Sequence, residues 1–105
     1  MKIIAVCGSM RFSKEMMKIS EELELDGSCV LTPLFPSDYD KKHYTKEQEE
    51  ILDKAHKERI KLSDAIFVVN VGGYIGSSTK NEIEFAKSLG KEVLYYTDFL
   101  KRTLN

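Results

Sequence analysis

Apolar residues gather in four short runs, and the stretches between them carry apolar residues at helical spacing. The first run, residues 2–7, is β-rich and stops at Gly8, as a buried strand does. Met16, Met17, Ile19, Ser20 and Leu23 then share one face of a helix that Ser13 is placed to cap. Asp26-Gly27 ends it as a turn signal, and residues 28–32 read as a second strand. Residues 33–45 are the least regular: two prolines, Asp38, Asp40 and two tyrosines predict a long loop, of a kind that is often functional. Thr45 and Gln48 fit a capping box that opens a helix over Lys46–Leu62. Its Ile51, Leu52, Ala55, Ile60 and Leu62 make a partial apolar stripe opposite a strongly charged face.

Ser63-Asp64 interrupts the pattern. Residues 65–71 are apolar except for Asn70, which predicts a strand buried on both faces. A glycine-rich stretch leads into a helix over 79–89, with Thr79 as N-cap, Glu82 at its third helical position and Gly90 as C-cap. Residues 91–96 read as a fourth strand and 98–104 as a short final helix.

The order β-α-β-α-β-α-β, with connections long enough for crossovers, predicts an α/β fold with helices on both faces of a parallel sheet. A flavodoxin-like order 2-1-3-4 puts the switch point between strands 1 and 3, and ligands bind outside the carboxyl ends of strands at such a point. Two polar loops meet there: Gly8-Ser9-Met10-Arg11, and the segment from Asn70 to Ser78.

The 105 residues suffice for one domain over the whole chain and are too few for two. A formal net charge of −1 provides no basic field for sequence-independent nucleic-acid binding. No apolar run approaches the ~18 residues that cross a bilayer, and the first run is too short for a signal peptide, so a cytoplasmic protein without membrane partners is expected. Cys7 and Cys29 both fall in strands, read as buried free thiols. No Cys-x-x-C is present, and His43 and His56 are far from either cysteine in sequence, so no metal site is expected.

The candidate chemistry lies in the two loops. Gly8 lets the backbone turn tightly, and Ser9 and Arg11 offer a hydroxyl and a guanidinium fork suited to phosphate or carboxylate; a surface loop with a solvated arginine explains them equally well. The stretch from Gly72 to Ser78 is neither a Walker A loop nor a G-x-G-x-x-G fingerprint. Its Gly76, Ser77 and Ser78 can present N–H groups and hydroxyls to a phosphate or sugar, or form a plain turn. Thr79-x-x-Glu82 fits a capping box as well as it fits a carboxylate aimed into the crevice. His56 is either a surface residue on a charged helix or, like Asp53, Glu58 or Arg59 beside it, a group that reaches the crevice. Tyr39, Tyr44, Tyr74, Tyr95 and Tyr96 can stack on a base or pack; Tyr74 alone lies in the site loop.

Residues 6–11, 63–69 and 78–82, with the helix after them and Gly90-Lys91, together resemble the nucleoside 2-deoxyribosyltransferase-like superfamily, which includes the 2′-deoxynucleoside 5′-phosphate N-hydrolases. The resemblance spans residues 2–96. It implies a flavodoxin-like fold and cleavage of the N-glycosidic bond of a deoxynucleoside or its 5′-monophosphate, without a cofactor. It implies that Glu82 is the nucleophile at C1′. It places Gly8, Ser9 and Arg11 at the 5′ end of the ligand, and Ser77 and Ser78 along the sugar and phosphate. Asn70, Tyr74 and Gly76 complete the candidate substrate contacts. One position departs from the family's pattern: His56 stands where an aspartate usually works on the leaving base, and a near-neutral imidazole there is able to donate a proton. The chain also lacks the fifth strand and the C-terminal residues with which family members complete a neighbour's site, so a homo-oligomer is one expectation. A non-catalytic nucleotide-binding module on the same fold is the alternative, and a domain serving only protein contacts is the blandest.

Overall fold

The computed structural model describes residues 1–37 and 43–104, with side chains through residue 100. Asp38, Tyr39 and Asp40 of the expected loop lie outside the described residues. The four apolar runs form strands β1 (Ile3–Cys7), β2 (Cys29–Leu31), β3 (Ala65–Val68) and β4 (Glu92–Tyr95). Between and after them come α1 (Ser13–Leu25), α2 (Lys46–Leu62), α3 (Ser77–Ser88) and α4 (Tyr96–Leu104). The sheet is parallel in the order β2-β1-β3-β4. The α/β class and the flavodoxin-like order follow the sequence expectation.

Alternation along the two central strands builds two cores. Ala5, Cys7, Ile66 and Val68 face α2 and α3, meeting Ile60, Ile83 and Ala86. Ile4, Val6, Phe67 and Val69 face the opposite way, onto Met16 and Ile19 of α1 and Phe99 of α4. The result is three layers, with the central strands buried on both faces because helices cover both. The Asp64 side chain ties β3 to β1 at their N-terminal ends by accepting from the Ile3 N–H at 2.8 Å.

Several boundaries move for local reasons. Ser13 is not a cap: a 3-10 turn, Met10–Phe12, runs straight into α1, and Ser9 caps that turn by accepting from the Arg11 N–H. Met17 is exposed, so the inner face of α1 is narrower than its apolar count suggests. The Thr45–Gln48 capping box is present in full. Gly90 ends α3 at φ 72°, with Lys91 N–H reaching the Ala86 carbonyl at 3.0 Å in a Schellman closure. Among the described residues, no helix is long and apolar enough to cross a membrane.

Candidate active site

The C-terminal ends of β1 and β3 open into a cleft of about 680 Å³, with α2 and the start of α3 as walls. That volume lies in the ordinary range for small-molecule sites. Gly8 forms its base. A Cβ there would lie 3.1 Å from the Val69 carbonyl oxygen and 3.3 Å from Met16 Sδ, so the close approach of β1 and β3 at the cleft favours glycine. Ser9 also lines the cleft.

α3 begins at Ser77 with Gly76 as its N-cap, two residues before the predicted start. Thr79 is inside the helix and buried. Glu82 therefore sits six positions into α3, too far along to cap it, and the capping-box explanation for this carboxylate fails. It faces the cleft instead, with its side chain 13% exposed. Ser77 and Ser78 line the same cleft at the helix N-terminus, where N–H groups and the helix dipole favour an anion.

His56 is not a surface residue. It is 6% exposed and lies on the inward face of α2, between Leu52 and Ile60 at four-residue spacing. That spacing is the signal that places it inside. Its Nε2 is 3.4 Å from Cys7 Sγ and 3.8 Å from Glu82 Oε1; its Nδ1 is 3.3 Å from Arg59 Nη1. Burial, then the Arg59 charge, lower its pKa to about 4 against the opposing pull of Asp53 and the Val6 carbonyl. The expected near-neutral imidazole is thus corrected to one that is uncharged at neutral pH. Burial raises Glu82 to about 7 against a hydrogen bond from Cys7, with Asp53 raising and Lys57 lowering it further. The 3.8 Å His56–Glu82 contact is accordingly not an ion pair at pH 7. Cys7, fully buried, is pushed well above the usual thiol range by burial and by Glu82, and stays protonated.

Arg11 points to the rim rather than into the cleft. Its guanidinium stacks 3.9 Å from the Tyr74 ring centroid and donates to the Tyr74 hydroxyl at 3.1 Å. Phe12 meets the same ring edge-on. Tyr74 lines the cleft while 41% exposed, and Gly76 lies beside the hydroxyl end of its ring. Asn70 is buried and faces α4: its amide donates to Thr97 Oγ1 and accepts from the Thr97 N–H, both at 3.2 Å. The switch-point placement thus brings together Gly8, Ser9, His56, Tyr74, Gly76, Ser78 and Glu82, and leaves Arg11 at the edge and Asn70 outside.

Sequence reasoning gave no role to His43 or Glu49, which line the cleft with Tyr44, Pro33 and Leu34. Asp53, one turn before His56, also reaches the cleft while paired with Lys57 at 3.1 Å. Cys7, His56 and Glu82 hold possible metal-ligand atoms within 4.8 Å of one another, a juxtaposition the sequence separation hid. The donor set suits a zinc-like ion, but Arg59 beside Nδ1 disfavours it: a ligating Nε2 needs its proton moved to Nδ1, where a guanidinium offers no acceptor. Compared with known proteins, the chain matches no protein-family model and no curated protein.

Proposed function

We propose that this protein cleaves the N-glycosidic bond of a nucleoside or its 5′-monophosphate, or transfers the sugar to another base, through Glu82. The observation that carries the proposal is a largely buried carboxylate at the meeting point of a cleft of nucleotide size, a hydroxyl-bearing helix N-terminus and a glycine-based strand end. The resemblance of the strand-1 loop and the Ser78–Glu82 segment to nucleoside 2-deoxyribosyltransferase-like proteins supports the same reading. In the reaction, ionised Glu82 attacks C1′ and the C1′–N bond breaks, its electron pair leaving with the base. Water or an acceptor base then takes the sugar and restores the carboxylate. Asp53 borders the cleft on α2 and is the carboxyl placed to assist at the leaving base; neutral His56 orients rather than protonates. Ser9, Ser77 and Ser78 hold the sugar or phosphate, and Tyr74 supplies a stacking face. The Arg11 guanidinium reaches a 5′-phosphate by leaving Tyr74.

The test is release of free base from a panel of ribo- and deoxyribonucleosides and their 5′-monophosphates. Wild-type protein is expected to release base from at least one, and Glu82→Gln to lower that rate by about 10³-fold or more, as loss of a covalent nucleophile does. No release across the panel sinks the proposal.

A second reading, a non-catalytic nucleotide-binding module, is favoured by Glu82 being half protonated near pH 7. A carboxyl in that state both donates and accepts hydrogen bonds, which suits holding a ligand. Calorimetry separates the two: this reading requires nucleotide binding without turnover, weakened by Arg11→Ala.

A further inference from the structure

The reaction proposed above uses neither the Cys7 thiol nor Arg59, yet both join the cleft through His56. A guanidinium can only donate hydrogen bonds, so the 3.3 Å contact between Arg59 Nη1 and His56 Nδ1 makes Nδ1 the acceptor. The single proton of the neutral imidazole then resides on Nε2. Nε2 faces Cys7 Sγ at 3.4 Å, within reach of a hydrogen bond to sulfur, whereas Glu82 Oε1 at 3.8 Å is beyond one. With Nε2–H directed at the sulfur, the thiol hydrogen is free to turn elsewhere. The Glu82 carboxyl, with an oxygen within 4.8 Å of the sulfur, is the acceptor towards which it can turn.

We propose that Arg59 polarises a one-way hydrogen-bond chain, Arg59 to His56 to Cys7 to Glu82, that keeps an uncharged donor on the Glu82 carboxyl and makes these three side chains its positioning residues. The first two links stand on the contacts of His56 with Arg59 and Cys7, and the third on the nearness of Glu82 to the sulfur; its use in a reaction rests on the role of Glu82 already proposed. Two features maintain it. The imidazole is uncharged at neutral pH, so Nδ1 has a lone pair to offer Arg59, and the thiol is protonated, so sulfur has a hydrogen to give. The remaining charged groups that act on Glu82, Asp53 and Lys57 of α2, pull in opposite directions. Burial holds Glu82 up, and the thiol is the largest effect that opposes it.

Long-range proton–nitrogen correlation on protein carrying ¹⁵N-histidine tests the direction, with His43→Gln to assign the two rings. At pH 7, His56 is expected with Nε2 protonated and Nδ1 bare, and Arg59→Met is expected to shift the ring towards a tautomer mixture. A protonated Nδ1 in the wild type, or an unchanged pattern in Arg59→Met, overturns the proposal. The last link is read by titrating Glu82 in ¹³C-carboxyl-glutamate protein. Cys7→Ala is expected to raise its midpoint and Cys7→Ser, which keeps a donor, to leave it at or below the wild-type value. Equal midpoints in Cys7→Ala and wild type overturn the last link. Neither measurement depends on turnover, so a protein that shows the chain but releases no base counts against the proposed reaction alone.

Discussion

Glu82 and His56 are neighbours that burial pushes in opposite directions, and their contributions to stability run oppositely with pH. Glu82 rises from 4.5 to about 7 on folding, so the folded state binds more protons than the unfolded between those values. Stability from this group falls as pH rises through that window, by about 3 kcal/mol at most. His56 drops from 6.5 to about 4, so the folded state binds fewer protons in that range, and its contribution is lost as pH falls from 6.5 towards 4. The two windows overlap and largely offset each other in the wild type. Chemical denaturation across pH 4–8 is expected to separate them. Glu82→Gln gains stability over wild type as pH rises, and His56→Gln gains on it as pH falls. Parallel curves for all three proteins would contradict the assigned shifts. Catalysis has its own signature: base release through ionised Glu82 is expected to rise with pH through about 7 and to level off above it.

The strands and helices were legible in the sequence where one physical signal dominated. The Thr45–Gln48 capping box opens α2 as its spacing predicts, and glycine ends α3 where its freedom to take positive φ predicts. The start of α3 was not legible. Thr79 is the better capping side chain, but Gly76 N-caps the helix with no side-chain hydrogen bond, while Thr79 is 2% exposed within the fold. Tertiary packing overrode local capping preference, and that shift moved Glu82 from a helix-capping position into the cleft. α2 misled differently. Ile51 and Leu62, counted in its apolar stripe, are 64% and 67% exposed, and the inward line runs through a histidine instead. Two substitutions probe these junctions. Gly8→Ala forces a methyl against the Val69 carbonyl and is expected to cost about 1–3 kcal/mol in denaturant melts. Asn70→Ala removes both bonds to Thr97 at the start of α4 and is expected to cost a similar amount while leaving ligand affinity unchanged. A large loss of affinity in Asn70→Ala would return that residue to the site.

The three-layer arrangement was the most legible feature, because two fully apolar runs needing cover on both faces leave few other α/β solutions. The juxtaposition of Cys7 with His56 was the least legible: 49 residues separate them, and only the crossover of α2 over β1 brings sulfur to imidazole. A ligand that binds the cleft of the folded protein alone must raise its melting point. Saturation at one hundred times Kd adds about 2.7 kcal/mol, so thermal shift over the nucleoside panel ranks candidates before any product assay.

The order of strands in the sheet also constrains how the protein is made. Ile4 of β1 pairs with Ala65 of β3, so the central strand leaves the ribosome long before its principal partner exists. Pairings so distant in sequence fold slowly, because a long chain must be closed before any contact is gained. Cys7 and Gly8 stand at the end of that early strand, and Glu82 lies later still, on α3. A nascent chain stalled before α3 therefore exposes an apolar strand edge and carries no assembled site, which makes chaperone capture of translation intermediates, rather than stepwise domain growth, the expected course of its synthesis.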